Sequence, residues 1–344
     1  MDAAGVVTLY KPRTEARPLW DLVLNAFAAH ALLVAYRLGL FPLLDEKPRT
    51  LAEVCESLVL ESRPAQAMLS YCTALGLLEL HGDQYALTVL AEDYLLESSP
   101  TYWAPVFELV ITNPRLTSYP DWEKAVRTNT AQIYGGERPF ESHDAQAELA
   151  RTFTRGMHSV SMAPASAWPN VLDLSLHSVM LDVGGGSGAH SIGAATRWPQ
   201  LQAIVLDIPA VCDIAEGFIG AYGLGERIRT HAADMWQNDF PEADLHFYSN
   251  IYHDWPPEKG RFLTEKSYAA LPSGGRIVIH ELLYDDDKSG PLAAAAYSVG
   301  MLMWTEGQQY SGAELATMLS DAGFRDVEVK AAFGYDSVVS GRKP

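Results

Sequence analysis

The segment 179–208, VMLDVGGGSGAHSIGAATRWPQLQAIVLDI, decides the fold class of this chain. An apolar run over 179–183 predicts a buried strand, and three consecutive glycines from Gly184 to Gly186 separate it from a helix. A second apolar run over 202–206 predicts another strand, which ends on the carboxylate of Asp207. This order of strand, glycine loop, helix, strand and acid is typical of the first half of a nucleotide-binding α/β domain. We therefore expect an adenosine-containing cofactor whose ribose hydroxyls bond to Asp207.

The remainder of the chain from residue 178 alternates predicted strands and helices, which indicates a doubly wound, mostly parallel sheet. A helix over 311–322 is expected to begin at a capping box of Ser311 and Glu314 and to end at Gly323. Because only a short turn at 333–336 joins the last two strands, we expect them to pair antiparallel at one edge. The predicted strands lie near 179–184, 202–207, 227–233, 244–251, 275–283, 326–332 and 337–341.

The first hundred residues predict a separate helical domain. Residues 19–38 are apolar on nearly every helical face, so this helix needs a partner surface, and we expect a homodimer that buries it. Helices over 50–58 and 62–78, followed by a hairpin at 78–88 with its turn at Gly82-Asp83, are typical of a winged helix. This domain carries seven Lys and Arg against thirteen Asp and Glu residues, which favours dimerisation over DNA binding.

Composition excludes several other classes of protein. The net charge of −18 argues against binding of a nucleic-acid backbone as the main function. Three cysteines, Cys55, Cys72 and Cys212, lie far apart, which predicts free thiols in a reducing cytoplasm and no metal cluster. No signal-peptide pattern is found at the N-terminus, and polar residues interrupt the apolar region 19–44, so no membrane anchor is expected.

The glycine loop alone leaves the cofactor open. Gly184, Gly186 and Ala189 also match a dinucleotide fingerprint, so a nicotinamide oxidoreductase is an alternative. Asp182, however, precedes the loop where it can meet an ammonium group, and the turn 234–236, Asp-Met-Trp, is placed to cover an adenine. Together with the antiparallel strand pair, these residues resemble the class I methyltransferases that use S-adenosylmethionine.

The resemblance extends over nearly the whole chain. The segments NIYHDW, GGRIVIHE and DAGF look like the small-molecule O-methyltransferase family that contains the caffeic acid and acetylserotonin enzymes. The segment GPLAAAAYSVGMLMWTEGQ is most similar to the acetylserotonin type. This resemblance implies a seven-stranded, Rossmann-like α/β methyltransferase sheet behind a winged-helix dimerisation domain. It also implies methyl transfer from S-adenosylmethionine to a hydroxyl of an aromatic small molecule. The quoted segments begin at residues 250, 274, 321 and 290, respectively.

The expected division of the chain follows from these elements. A helical, winged-helix-like dimerisation domain is expected over 1–100, and a cofactor-binding methyltransferase domain over 176–344. Between them, the helical segment 101–175 is rich in aromatic residues and methionine, which suits the wall of an apolar acceptor pocket. Turns are expected in that segment at Asn113-Pro114, Gly135-Gly136 and Pro164.

In this family the histidine of the HDW motif is the general base, a role that the resemblance gives to His253. An imidazole with a pKa of about 6.5 takes a phenolic proton at neutral pH. Glu281 matches one of the two family acids that orient the histidine. Gln309 stands where the second acid is expected, and Glu306 nearby is the alternative for that role.

The remaining site residues also come from the resemblance. The pair Ser249-Asn250 stands where the family often has a lysine or an arginine just before the histidine motif. The implied cofactor-binding residues are Asp182, Gly184, Gly186, Asp207, Asp234, Met235 and Asn250. The implied acceptor-binding residues are Phe153, Met157, Met301 and Trp304.

Two alternatives to this reaction differ in class. A relative that binds S-adenosylmethionine without transferring its methyl group, for example in a hydroxylation, is kept open by Gln309. A ligand-responsive regulator would use the winged helix to bind DNA. Product mass distinguishes the first from a methyltransferase, and salt-dependent DNA binding would reveal the second.

Overall fold

A computed structural model describes residues 11–133 and 144–344 of the chain. The chain divides between Ser99 and Pro100 into two compact units. The turn predicted at Gly135-Gly136 lies outside the described residues.

The first unit combines helices with a small antiparallel sheet of strand order β1-β3-β2. The capping box at the start of α3 is confirmed, since the Glu53 amide donates to Thr50 Oγ1 (3.3 Å) and the Thr50 amide to Glu53 Oε2 (2.8 Å). The predicted helix pair and hairpin are also confirmed, with Gly82 in the turn at a φ of 67°. The elements are α1 (Arg17–Arg37), α2 (Leu40–Glu46), β1 (Arg49–Thr50), α3 (Leu51–Leu58), α4 (Ser62–Ala74), β2 (Leu78–His81), β3 (Gln84–Leu87) and α5 (Val89–Leu95).

Helix α1 is the apolar helix that the sequence predicts. Ala35 is its one buried residue, whereas Leu19, Trp20 and Phe27 are 68%, 62% and 74% exposed. Within the described residues, α1 is the one helix long and apolar enough to cross a membrane, which on its own is weak evidence for a span. An apolar surface of this extent on a folded chain marks an interaction site.

The second unit is built on a seven-stranded sheet of order β6-β5-β4-β7-β8-β10-β9. Five strands run parallel, and β10 pairs antiparallel with both β8 and β9, as the short turn at 333–336 predicts. The strands are β4 (Val179–Val183), β5 (Gln202–Asp207), β6 (Ile228–Ala232), β7 (Leu245–Ser249), β8 (Arg276–Leu282), β9 (Arg325–Phe333) and β10 (Asp336–Arg342). The helices are α6 (Ala104–Thr112), α7 (Tyr119–Thr128), α8 (Asp144–Ala167), α9 (Ala189–Arg197), α10 (Pro209–Ala221), α11 (Pro257–Ala270), α12 (Leu292–Trp304) and α13 (Gly312–Asp321).

Both faces of this sheet are buried. Phe247 and Val278 pack on one face together with residues of α8 and α9, and Tyr248 and Ile279 pack on the other with residues of α11 and α13. Strand β4 lies between β5 and β7, so the order of the strands along the sheet reverses direction at β4. Ligands of open α/β sheets bind at the carboxyl ends of the strands at such a point.

The expected turn at Pro164 is wrong, because α8 continues through this proline to Ala167. Proline removes one hydrogen bond from a helix interior. Here the buried last turn of α8 packs tightly against α9, since a Cβ added to Gly193 would clash with the Ala165 carbonyl oxygen. The expected break at Asn113-Pro114 is confirmed, since α6 ends at Thr112.

Candidate active site

A cavity of about 1130 Å³ opens at the carboxyl edge of β4, β5 and β7. One end is formed by the glycine loop and the end of β5, and the other by side chains of α6, α8 and α12. This volume is at or above the upper limit of single-ligand pockets and suits two ligands side by side.

The glycine loop forms the floor of one end. Gly184 and Gly186 have φ angles of 66° and 56°, a left-handed conformation that glycine adopts without strain. A Cβ on Gly184 would lie 2.5 Å from Ile251 Cδ1, whereas a Cβ on Gly186 would meet nothing within 4 Å. Glycine is therefore favoured at position 184 by its left-handed backbone, with the Ile251 side chain close by, and Gly186 leaves its backbone open toward the cavity.

Two carboxyl groups flank this loop. Asp207 accepts hydrogen bonds from the Gly186 amide (2.9 Å) and the Ile208 amide (2.8 Å), and burial raises its pKa to about 6. Asp182 is buried and accepts a hydrogen bond from Ser191 Oγ (2.7 Å), and burial raises its pKa to about 7. Neither pKa is lowered by a cation of the described chain. A positively charged ligand group would therefore stabilise both carboxylates.

The turn after β6 places Asp234 and Met235 against the same cavity. Asp234 Oδ1 accepts from the Trp236 amide (2.7 Å), and Lys266 Nζ donates to the Met235 carbonyl oxygen (2.7 Å), which ties the turn to α11. Asn250 also lines the cavity and has a left-handed φ of 56°. The two hydrogen bonds hold Asp234 and Met235 in place at the cavity wall.

A neutral polar cluster lies beside Asn250, where the sequence lacks a cation. Ser249 Oγ lies 3.0 Å from His190 Nε2 and 3.1 Å from His280 Nδ1. Burial lowers the pKa of both histidines, that of His280 to about 4. Both imidazoles are therefore neutral at pH 7, so this cluster places no positive charge beside Asn250.

His253 lies in a short 3₁₀ turn directly after β7 and is buried. Its Nδ1 is 2.8 Å from Oε2 of the buried Glu281, and its backbone amide donates to Glu281 Oε1 (3.3 Å). A carboxylate only accepts hydrogen bonds, so this contact places a proton on Nδ1. The nitrogen left for an acceptor is therefore Nε2.

Gln309 also contacts this imidazole, with its amide group 3.1 Å from His253 Nδ1. Since Nδ1 carries a proton, the amide must present its oxygen there, and a half-turn of the amide plane exchanges the two atoms. That half-turn also gives a partner to the Gln309 oxygen, which is otherwise buried without one. The alternative residue Glu306 instead lies 3.9 Å from Lys259 at the half-exposed rim, so the place beside Nδ1 belongs to Gln309.

The ordinary pKa of about 6.5 expected for His253 is wrong. Burial alone lowers this pKa, but the negative charges of Glu281, Asp254 and Asp336 outweigh it and raise the pKa to about 9. Asp254 Oδ1 lies 3.5 Å from Nε2, and Asp336 lies at the start of β10, opposite Leu282 of β8. The imidazolium form is therefore stabilised by three carboxylates. Among them, the sequence analysis assigned a role to Glu281 alone.

The four residues expected to bind the acceptor all line the far end of the cavity. Phe153 and Met157 come from α8, and Met301 and Trp304 from α12, with the Phe153 and Trp304 rings 5.7 Å apart. Sequence reasoning missed Tyr297, whose ring lies edge-on to His253 with centroids 5.3 Å apart. Tyr297 precedes Met301 by four residues and Trp304 by seven, which places it on the same helical face. This spacing was the sequence signal that could have identified it as an acceptor-pocket residue.

Comparison with known proteins gives the family. The O-methyltransferase domain matches residues 119–325, and the O-methyltransferase dimerisation domain matches residues 20–97. The chain belongs to the O-methyltransferase family. It is 36% identical over 332 residues to the 3-hydroxy-5-methyl-1-naphthoate 3-O-methyltransferase of Streptomyces sahachiroi, covering 94% of each chain. It is 34% identical to the acetylserotonin O-methyltransferase of Bos taurus, covering 92% of this chain and 95% of that enzyme.

Solved structures agree with this assignment. Human N-acetylserotonin methyltransferase in complex with S-adenosylmethionine matches 97% of this chain and 99% of its own, with a TM-score of 0.83 and 30% identity. The chain is thus an S-adenosylmethionine-dependent O-methyltransferase with the class I α/β fold, and the predicted family, fold and cofactor are confirmed. The family and its cofactor replace the alternative of a nicotinamide oxidoreductase.

The residues of this O-methyltransferase fit the cofactor. Gly184 and Gly186 have left-handed φ angles, and the backbone of Gly186 is open to the cavity. Asp182 is a buried carboxyl that no cation of the described chain neutralises, which suits an ammonium group. Asp207 uses one lone pair of each oxygen for backbone amides, so one on each oxygen remains free for ribose hydroxyls.

Proposed function

We propose that this O-methyltransferase methylates a hydroxyl group on an aromatic small molecule, with His253 as the general base. One observation carries the proposal: a buried imidazole, held through Nδ1 by Glu281 at 2.8 Å, lines the same cavity as the glycine loop and the aromatic wall. The named activities of the naphthoate and acetylserotonin relatives support an aromatic acceptor.

S-adenosylmethionine, when bound, supplies a methyl group on a sulfonium that is already a good leaving group. The protein has to align the acceptor oxygen and remove its proton. We assign the methionine portion to Asp182, Gly184 and Gly186 with Asn250 beside them. The ribose is assigned to Asp207, and the adenine to Asp234 and Met235.

His253 accepts the hydroxyl proton on Nε2, and the positive charge that develops is stabilised by Glu281 across Nδ1. A phenol has a pKa of about 10, so a base whose conjugate acid has a pKa of about 9 takes this proton at little free-energy cost. Gln309 supports the same tautomer by accepting from Nδ1–H, although it lacks the charge of a carboxylate. Phe153, Met157, Met301 and Trp304 position the aromatic ring.

The assignment of the base is tested by His253→Ala. We expect turnover of a phenolic acceptor to fall by about 10²- to 10⁴-fold, because the imidazole that takes the proton in the transition state is removed. Affinity for S-adenosylhomocysteine should stay within about twofold of the original protein. A product 14 Da heavier than the acceptor would exclude a non-methylating reaction.

A matched control is available in the first unit. His81 also pairs with a glutamate, Glu79 (2.7 Å), on the exposed hairpin, so His81→Ala removes a similar contact outside the cavity. This variant should keep the original turnover. Less than a tenfold loss in His253→Ala would show that another group is the base.

We also propose that the enzyme is a cytoplasmic homodimer whose interface includes α1. The match to the dimerisation domain begins within this helix, and Leu22 and Phe27 are 69% and 74% exposed in the single chain. Light scattering should give twice the chain mass of 37.7 kDa. Phe27→Glu should shift the mass toward one chain, whereas Leu292→Glu, at a position 84% exposed in the second unit, should not. A mass near 37.7 kDa for the unaltered protein would contradict the dimer.

The expected domain division remains a proposal as well. We propose that 1–100 is the dimerisation domain, that 101–175 contributes the acceptor wall, and that 176–344 binds the cofactor. The cavity-lining residues Val106, Leu109 and Met157 support the role of the middle segment.

A further inference from the structure

The acceptor wall on α12 has one position without a side chain. Gly300, Met301 and Trp304 follow Tyr297 by three, four and seven residues, so the four residues share one face of the helix. All four line the cavity. Three of them carry large side chains, and Gly300 leaves a gap between them.

Packing does not require a glycine at this position. A Cβ on Gly300 would meet no atom within 4 Å. By contrast, a Cβ on Gly193 would clash with the Ala165 carbonyl oxygen, and one on Gly307 with the His253 carbonyl oxygen. Glycine destabilises a helix interior relative to alanine, so its presence here has no structural benefit within the described contacts.

The gap lies along the path that an acceptor must follow. The reacting oxygen has to lie at His253, and the Tyr297 ring stands edge-on to that imidazole at 5.3 Å. Trp304 lies seven residues after Tyr297 on α12, about 10 Å along the helix axis. The centroids of its ring and the Phe153 ring are 5.7 Å apart. A ring held beside Tyr297 therefore directs the rest of its molecule across Gly300 toward this aromatic pair.

We propose that Gly300 forms a subsite for the second ring of a fused-ring, naphthalene-like hydroxyarene, enclosed between Tyr297 and Trp304. The inference rests on the proposed function and specifies its substrate class. The flexible side chains of Met157 and Met301 adapt to the flat faces of such a ring system. A single-ring phenol reaches His253 without using this subsite.

The test compares variants at two glycines in equivalent helical positions. Gly300 and Gly217 are each the ninth of thirteen residues in their helices, α12 and α10. A Cβ on Gly217 would also meet nothing within 4 Å, but Gly217 does not line the cavity. Ala and Leu at each position therefore change helix stability alike, and at Gly300 alone they fill the subsite.

The assay measures kcat/KM for 2-naphthol and for 4-methoxyphenol, with S-adenosylhomocysteine formation as the readout. Gly300→Leu should lower kcat/KM for 2-naphthol by roughly 10- to 100-fold, and that for 4-methoxyphenol by less than about threefold. Gly300→Ala should give a smaller loss with the same preference. The Gly217 variants should change neither value, and titration should show unaltered affinity for S-adenosylhomocysteine in all variants.

Equal losses with both acceptors, or no loss with either, would overturn the subsite. If the unaltered protein bound S-adenosylhomocysteine but methylated neither phenol, the proposed reaction on an aromatic hydroxyl would be refuted separately from the subsite. In that case the subsite is tested directly by measuring the binding of 2-naphthol to the S-adenosylhomocysteine complex, with quenching of tryptophan fluorescence as the readout. Absence of binding, or equal binding by Gly300→Leu, would overturn it, and selective loss in Gly300→Leu would support it.

Discussion

The charge that surrounds His253 makes a quantitative prediction about pH. The rise of its pKa from 6.5 to about 9 corresponds to on the order of 3 kcal/mol of net stabilisation of the imidazolium. At pH 7 about one molecule in a hundred then has the neutral imidazole that can act as a base. We expect kcat/KM to rise about tenfold per pH unit above pH 7 and to level off near pH 9.

Glu281→Gln removes the carboxylate that contributes most to this rise. Loss of its charge leaves burial, which favours the neutral imidazole, opposed only by the smaller effects of Asp254 and Asp336 among the charges that raise this pKa, so the midpoint of the acidic limb should move down by about two pH units. The plateau should also fall by about tenfold or more, because the amide no longer stabilises the developing imidazolium. Steady-state kinetics between pH 6 and 9.5 with a phenol of pKa about 10 would measure both effects.

Asp336→Asn is the matched control for this variant. Asp336 contributes least among the three carboxylates around His253, so its removal should move the midpoint in the same direction by a smaller amount. Titration of the imidazole by NMR would report the same order of pKa values without turnover. A flat profile for the unaltered enzyme, or equal midpoints in it and Glu281→Gln, would refute the reasoning.

Three further substitutions test other parts of the site. Burial raises the pKa of Asp182 from an ordinary 3.8 to about 7, so its charge destabilises the folded state increasingly from pH 4 to pH 7. Asp182→Asn should therefore raise the melting temperature at pH 8 and have no such effect near pH 4. The same substitution should weaken S-adenosylhomocysteine binding. Gln309→Glu adds a carboxylate beside the imidazole of His253 and should move the acidic limb of kcat/KM to higher pH. Gly307→Ala should lower turnover by about tenfold or more and reduce the melting temperature, because its Cβ would displace the His253 turn, and unaltered values of both would contradict the close approach.

Local patterns were enough to predict the frame of the molecule. The glycine loop, the strand after it and Asp207 lie as the segment 179–208 predicts, and the strand bounds differ from prediction by at most two residues. The capping box at Ser311 is likewise confirmed, since the Glu314 amide donates to Ser311 Oγ (3.2 Å). These features depend on neighbouring residues, which is why one sequence reveals them.

Features that depend on distant residues were not predicted. Asp336 reads as a hairpin residue in the sequence, and only the pairing of β10 with β8 brings it close to His253 and Glu281. The pKa of His253 could not be predicted, because it depends on that cluster and on burial. The turn expected at Pro164 is wrong because packing of α8 against α9 outweighs the local preference of proline.

Binding of S-adenosylhomocysteine, measured by calorimetric titration with NADH as the control ligand, is the experiment to do first. We expect one molecule per chain with a micromolar Kd, no binding of NADH, and a loss of about 30-fold or more in Asp207→Ala, whose carboxylate accepts at the loop. Asp213→Ala, at an exposed position of α10 outside the cavity, should bind normally. A folded protein that does not bind, or an Asp207→Ala variant that binds equally well, would contradict the cofactor site and the mechanism built on it.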